Sequence, residues 1–323
     1  MAVYTKITEA EIAKHLESYS LGELVNLTEI VDGIDNSNFI LETTEGKFIL
    51  TIFESRIDPN ELSFFINLKL HLAQKGICCP DPVLNKAGQS IADLKGKKAA
   101  IVTFLSGSML KTRDDGLYDC ITAKHCFEIG KVTSQLHLAA ADFNMSRFND
   151  SGINGWNDLV AKFSHLIENY QPGLKDEIEK DLEFLKTSWN SGLPSAPAHL
   201  DLFPDNVFFD ENANVSGVID FYFAANDALI YDFAIIVNAW CFDENNNFQQ
   251  EKFDEMLRGY EEARTFSESE KAFLNIALMG ASMRFLLTRM HDKFFTPEGS
   301  LVKVKDPQEY LEKLRFFKAK LCQ

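Results

Sequence analysis

Two hydrophobic rhythms divide the chain. Up to about residue 104, short apolar runs rich in β-branched and aromatic residues are separated by turn residues; beyond it, apolar positions recur every three or four residues. Residues 24–31, 38–44 and 48–53 read as strands. They are broken by Asp32-Gly33-Ile34-Asp35-Asn36-Ser37 and by Glu45-Gly46, which predicts an antiparallel meander. An amphipathic segment at 9–19 precedes them. After Pro59 and Asn60, the residues Leu62, Phe65, Ile66, Leu70 and Ala73 fall at helical spacing, and Gly76 ends that helix. A further strand pair is expected at 83–84 and 99–104, with Gly88 and Gly96 in the connection. Phe104-Leu105-Ser106-Gly107 then reads as a crossing to a second lobe.

In 175–189 the apolar residues Ile178, Leu182, Leu185 and Trp189 are spaced four, three and four, giving one buried stripe. Similar periodicity covers 123–138, 250–262, 267–290 and 307–318, and one β-rich island at 197–223 lies among these helices. The expectation is an α+β, bilobal fold: a small antiparallel-β N-lobe at 1–103 and a larger, mainly α-helical C-lobe at 104–323, with a cleft between them.

Composition narrows the function. The chain has 323 residues, 46% of them hydrophobic, with a formal net charge of -16. Such a balance supports a sizeable core and argues against a protein that grips nucleic acid or an anionic membrane, because both need basic surface. The N-terminal segment has no signal-peptide apolar run and nowhere do 18 apolar residues follow one another, so a cytoplasmic protein is expected. Six scattered cysteines without C-x-x-C spacing read as reduced thiols; Cys78 and Cys79 are adjacent and should face opposite ways in an extended segment.

The island carries the chemistry. It reads His199-Leu200-Asp201-Leu202-Phe203-Pro204-Asp205-Asn206-Val207-Phe208-Phe209, then a turn at 210–214, then an apolar strand ending in Asp220-Phe221. Protein kinases use an H-x-D-x-x-x-x-N loop, a short strand pair and a D-F dipeptide at this spacing. Phosphoryl transfer from ATP needs an acceptor hydroxyl held in line with the terminal phosphate and a carboxylate to accept its hydrogen bond. Asp201 is the candidate, since an aspartate with an ordinary pKa of about 3.9 is already ionised at neutral pH. Asn206 and Asp220 offer the oxygen ligands that Mg²⁺ prefers. His199 is expected to order the loop by hydrogen bonding. Singly each of these is an ordinary turn or cap residue; the constellation is the signal.

The N-lobe should face the phosphates of the nucleotide. The turn at 33–38 stands where a glycine-rich loop would lie, with Gly33, Asn36 and Ser37 as candidates, although its polar side chains are equally suited to closing a hairpin. The third strand, Phe48-Ile49-Leu50-Thr51-Ile52-Phe53, lacks the lysine that kinases place there; Lys47 and Arg56 flank it. Glu61 stands like the acid that partners that lysine, or as a helix N-terminal acid. Thr103 and Leu105 sit at the expected crossing and complete the nucleotide-binding set.

These residues in this order resemble the aminoglycoside-phosphotransferase-like superfamily of small-molecule kinases over nearly the whole chain. Within it the sequence resembles the homoserine kinase family. The resemblance rests on D-G-I-D-N-S-N-F (32–39), G-K-F-I-L-T-I-F-E (46–54), H-L-D-L-F-P-D-N-V-F-F (199–209), G-V-I-D-F-Y-F-A (217–224), Y-D-F-A-I-I-V-N-A-W (231–240) and M-R-F-L-L-T-R-M-H-D (283–292). It implies a protein-kinase-like fold, ATP and L-homoserine as substrates, O-phospho-L-homoserine as product on the route to threonine, Asp201 as base, and Asn206 and Asp220 as Mg²⁺ ligands. Thr51, at the expected lysine position, departs from the kinase pattern.

Homoserine is a zwitterion, so a guanidinium is expected for its carboxylate. Arg284 and Arg289 point about 140° apart on one helix; Arg284 is preferred, since Arg289 has Asp292 at i+3. Tyr222 and Trp240 are candidates for the pocket wall. The alternatives are a kinase of the same fold for an aminoglycoside, choline or a sugar, and a silent binding module, which would have lost metal ligands that this chain retains.

Overall fold

The computed structural model describes residues 4–30, 36–54, 58–110, 121–297 and 304–321. The chain divides into two compact units, Met1–Gly107 with Ser216–Tyr222, and Ser108–Val215 with Phe223–Gln323. The segment carrying Asp220 therefore groups with the N-terminal unit, whereas the hydrophobic rhythm alone keeps the whole of 104–323 together.

In the first unit, α1 (Glu9–Leu16) starts at a capping box in which Thr8 and Glu11 satisfy each other's backbone N–H. Strands β1 (Leu24–Ile30), β2 (Ser37–Thr43) and β3 (Gly46–Ile52) form the antiparallel meander. Along β2 every second residue is buried, so Phe39 and Leu41 join Ile12, Leu16, Leu50, Ile52 and Ile101 in one core. Helix α2 (Pro59–Gln74) begins at Asp58, whose side chain accepts the Asn60 N–H, with Pro59 in the first turn. Strands β4 (Ala92–Leu94) and β5 (Lys97–Thr103) complete a sheet of order β1-β2-β3-β5-β4. The hairpin partner of β5 is thus β4. The expected strand at 83–84 gives only a Pro82–Val102 bridge and a bond from the Val83 N–H to the Ile101 carbonyl. Pro80 and Pro82 bring no N–H and cannot sustain a ladder there.

The segment 216–222 is tied into the same unit. Its Val218 N–H donates to the Cys78 carbonyl at 2.8 Å. Gly217 leaves room for Leu105: a Cβ there would lie 2.6 Å from Leu105 Cδ1.

The second unit holds α3 (Ala123–Ala140), α4 (Ile153–Tyr170), α5 (Leu174–Ser188), β6 (Ser195–Ala198) and β7 (Val207–Phe209); β8 (Val215–Val218) starts at its boundary and runs into the segment just described; β9 (Ala225–Ala228), α6 (Leu229–Trp240), α7 (Gln250–Glu261), α8 (Glu268–Phe295) and α9 (Gln308–Leu321) complete the second unit. β6 pairs antiparallel with β9, so the loop after β6 and the helix after β9 start side by side. Two of these helices are not among those expected from periodicity. α6 is buried on nearly every side and shows no helical period, while α4 buries Trp156, Val160, Phe163 and Ile167. Helices α3 and α7 meet backbone to backbone: a Cβ on Gly130 would lie 2.0 Å from the Met256 carbonyl oxygen, and one on Gly259 2.0 Å from that of Phe127. Among the described residues, no helix is long and apolar enough to cross a membrane. Cys78 is exposed and Cys79 buried, the opposite facing expected of neighbours.

Candidate active site

The loop between β6 and β7 is held through its peptide groups by the side chains of Asp232 and Arg284. Leu200, fully buried, adopts a left-handed conformation with φ of 61°, which costs an L-residue about 1–2 kcal/mol. Both of its peptide groups are clamped. Its N–H donates to Asp232 Oδ1 at 2.7 Å, and its carbonyl accepts from Arg284 Nη1. The preceding N–H, of His199, donates to Asp232 Oδ2 at 3.2 Å, and the His199 ring accepts the Asp201 N–H on Nδ1 at 3.3 Å. The Asn206 amide donates from Nδ2 to the Asp201 carbonyl at 2.8 Å, which leaves its Oδ1 as the atom a hard cation would take. Every bond in this set places Asp201, itself partly exposed, at the turn of a fixed loop.

Asp232 is the hub. It is fully buried on α6, and burial by itself would raise its pKa. The bond from His137 Nε2 at 2.9 Å, the two imidazoles of His137 and His199 beside it and the Leu200 N–H outweigh burial and hold the carboxyl below its ordinary value. With the proton on His137 Nε2, Nδ1 accepts from the Tyr260 hydroxyl at 2.8 Å. Tyr260 in turn accepts from Arg264 Nη1 at 2.9 Å, and Arg264 Nη2 reaches the fully buried Glu270 at 2.7 Å. Glu270 also closes the capping box at Ser267 that starts α8. One chain of bonds therefore runs from the head of α8 to the loop that presents Asp201.

In the first unit, Asp220 ends the run after β8. It is exposed and has φ of 63°, again left-handed, a conformation that sites with a functional constraint often retain. Two residues on, Tyr222 stacks edge-on against Phe53 and Phe65 with centroids 6.2 and 5.7 Å away. Lys69 Nζ, from α2, stands 5.7 Å from the Tyr222 ring centroid. Burial pushes Lys69 down to about 8, and Cys79 and Asp220 oppose that shift, so its ammonium persists at neutral pH.

Several candidates from the sequence serve elsewhere. Ser37 is fully buried; its hydroxyl donates to Glu54 at 2.7 Å and accepts the Tyr4 and Thr5 N–H groups. Asn36 Oδ1 accepts the Glu54 N–H at 3.2 Å, and Asn38 Oδ1 accepts the Thr51 hydroxyl across the hairpin at 2.8 Å. Polar residues of this turn therefore close the hairpin and anchor the N-terminal segment. Lys47 pairs with Glu42 at 2.7 Å. Gly33 and Arg56 lie outside the described residues. Glu61 lies in the first turn of α2, Thr103 bonds the Asp81 backbone through its N–H and hydroxyl, and Leu105 lies against Gly217.

The substrate-side candidates also make contacts within the protein. Trp240 is fully buried and donates Nε1–H to the Leu202 carbonyl at 2.9 Å, so it props the loop and walls no pocket. Tyr222 is packed within the first unit, against Phe53 and Phe65. Arg284 is 2% exposed and its guanidinium holds Leu200, which leaves it a positioning role. Arg289 pairs with Glu309 rather than with Asp292, because α9 brings Glu309 to α8. Asp232, His137 and Lys69 are additions that sequence reasoning does not supply. The available signal is a charge or imidazole within an apolar stripe: Asp232 in Leu229–Trp240, and Lys69 between the buried Phe65 and Leu72.

Residues 26–266 match the model of the phosphotransferase enzyme family. A homoserine kinase of Xanthobacter autotrophicus is 45% identical over 320 residues, covering 99% of this chain and 97% of that protein. A homoserine kinase of Granulibacter bethesdensis is 44% identical over 316 residues, covering 98% and 96%. Among solved structures, amicoumacin kinase in complex with AMP-PNP, Ca²⁺ and its antibiotic aligns with a TM-score of 0.67 at 16% identity, over 97% of this chain and 92% of that one. Spectinomycin phosphotransferase with ADP and spectinomycin aligns with a TM-score of 0.68 at 13% identity, over 98% and 95%. A β-sheet unit and a helical unit in this order are the architecture of these kinases.

Proposed function

The chain belongs to the phosphotransferase enzyme family, and from that premise we propose that it transfers the terminal phosphoryl group of ATP to the hydroxyl of L-homoserine, with Mg²⁺, giving O-phospho-L-homoserine. Asp201 accepts the hydrogen bond of the acceptor hydroxyl and takes its proton as the new P–O bond forms and the bond to ADP breaks. His199, Asp232 and Arg284 fix the loop so that this carboxylate needs no search for its geometry, which is where most of the gain in such a reaction lies. Asn206 Oδ1 and the Asp220 carboxylate are each an oxygen donor of the kind that Mg²⁺ takes, and would hold it. When bound, Mg²⁺ offsets the charge of the phosphates.

The observation that carries the reaction type is the doubly clamped Leu200, which presents Asp201 at kinase-loop spacing from Asn206. The choice of acceptor is supported by 42–45% identity to homoserine kinases over nearly the full chain. A test incubates the purified protein with ATP, Mg²⁺ and one of homoserine, choline, a hexose or kanamycin, and reads product by ³¹P NMR and ADP by a coupled assay. A new phosphomonoester with homoserine alone is expected. Turnover of another acceptor with none of homoserine would overturn the substrate assignment.

A further inference from the structure

Two lysines are buried among the described residues, and they differ in kind. Lys313 is 3% exposed and sits in the second unit, where the Glu309 carboxylate and the Asn238 carbonyl hold it at 2.6 and 2.9 Å. Lys69, 7% exposed, lies in the first unit on the face of α2 that meets the segment ending in Tyr222. Burying an ammonium costs several kcal/mol unless its charge is used. The nearby groups acting on Lys69 are the Tyr222 ring, Asp220 and Cys79; the Cys79 thiol donates to the Lys69 carbonyl at 3.6 Å. On the third strand, the position where kinases of this architecture carry their lysine holds Thr51, bonded to Asn38, and the strand's Lys47 is paired with Glu42.

We propose that Lys69 is a positioning residue for phosphoryl transfer, its buried ammonium on α2 fixing the charge and direction of the Asp220 carboxylate. The inference rests on the reading of Asp220 as a metal ligand. Asp220 stands exposed at the end of its run in a left-handed conformation, past the last residue of β8. A buried cation beside the ring of Tyr222, which follows Asp220 by two residues and packs on Phe53 and Phe65, would attract the carboxylate. Along α2 the buried stripe Phe65, Lys69, Leu72 is apolar except at the lysine that meets Tyr222.

The test is calorimetric binding of ADP, with Mg²⁺ and with EDTA, to the whole protein and to Asp220→Asn, Lys69→Met, Lys69→Arg and the double variant D220N/K69M, alongside melting curves. Asp220→Asn should lose the Mg²⁺-dependent part of ADP binding. Lys69→Met should weaken Mg²⁺-dependent binding about tenfold, the size of one charge–charge coupling, and add nothing in the double variant. Its melting temperature should be unchanged or higher, since a buried charge is removed, and Lys69→Arg should recover most of the affinity. If Asp220→Asn keeps Mg²⁺-dependent binding, the metal-ligand reading falls and this inference with it. If Asp220→Asn loses it while Lys69→Met binds like the native protein, whatever its melting temperature, the inference alone is overturned.

Discussion

Replacing Asp232 by Asn keeps the shape of the side chain and breaks the hub of the loop. In the native protein its two oxygens accept from Leu200 N, His199 N and His137 Nε2 at 2.7, 3.2 and 2.9 Å, in a site with no exposure. An amide retains one oxygen for the Leu200 N–H and turns an NH₂ toward two other donors. A buried donor left without a partner costs about 1–3 kcal/mol, so the expected loss is about 2–6 kcal/mol. At about 2–4 °C per kcal/mol for a unit of this size, a loss near the middle of that range lowers the melting temperature by roughly 8–16 °C. With the His199 N–H and His137 Nε2 no longer paired to it, the start of the loop can shift, and a displacement of about 1 Å at Asp201 costs about 10² in kcat. Asp232 is held below its ordinary pKa, so its stabilisation is full above the carboxylate range and disappears as pH falls through the folded value. The difference in melting temperature between native protein and variant should therefore be widest near neutral pH and shrink in acid. Differential scanning calorimetry from pH 7 to well below the ordinary aspartate value of about 3.9, with kcat at neutral pH and saturating substrates, reads both effects. A melting temperature within 2 °C of native, with native kcat, would refute the hub.

Other perturbations follow from the same bonds. Arg284→Lys replaces a planar fork by a point donor at the Leu200 carbonyl and should lower kcat about 10- to 100-fold with little change in KM for the acceptor, as expected of a group that aims Asp201 and does not bind substrate. Gly259→Ala forces a Cβ to within 2.0 Å of the Phe127 carbonyl and should part α3 from α7; chemical denaturation should show a loss of about 1–3 kcal/mol or more. Glu309, partly desolvated but paired with Lys313 and Arg289, is lowered to about 2 from 4.5. The destabilisation caused by Glu309→Gln should be present at pH 6 and vanish as pH falls from about 4.5 towards 2, measurable as converging urea midpoints.

Which parts of this are legible in the sequence has a physical pattern. The meander and the long amphipathic helices can be read because each has one wet face, so a period survives in the residues. α6 cannot, since it is buried nearly all round and its run Leu-Ile-Tyr-Asp-Phe-Ala-Ile-Ile-Val-Asn-Ala-Trp carries no period to detect. The same burial hides Asp232, whose role depends on β6 pairing with β9 and so bringing the head of α6 beside the catalytic loop. The loop itself is readable, because Asp201 and Asn206 are fixed by local spacing within a few residues of chain. Arg284 can be singled out from the sequence, but its role cannot. Spacing places it on α8, and only three-dimensional contact reveals that its guanidinium holds the Leu200 carbonyl. Ser37 and Asn36 illustrate the same limit, since their partner Glu54 lies across a hairpin and out of reach of any local pattern.

The most direct measurement compares steady-state phosphorylation of homoserine by the native protein and by Asp201→Ala, with melting curves as a control on folding. Removing the carboxylate should lower kcat by about 10² to 10⁴ and leave the melting temperature within 2 °C, because Asp201 serves the acceptor hydroxyl and the loop is held by Asp232 and Arg284. Equal turnover by a folded Asp201→Ala protein would contradict the account.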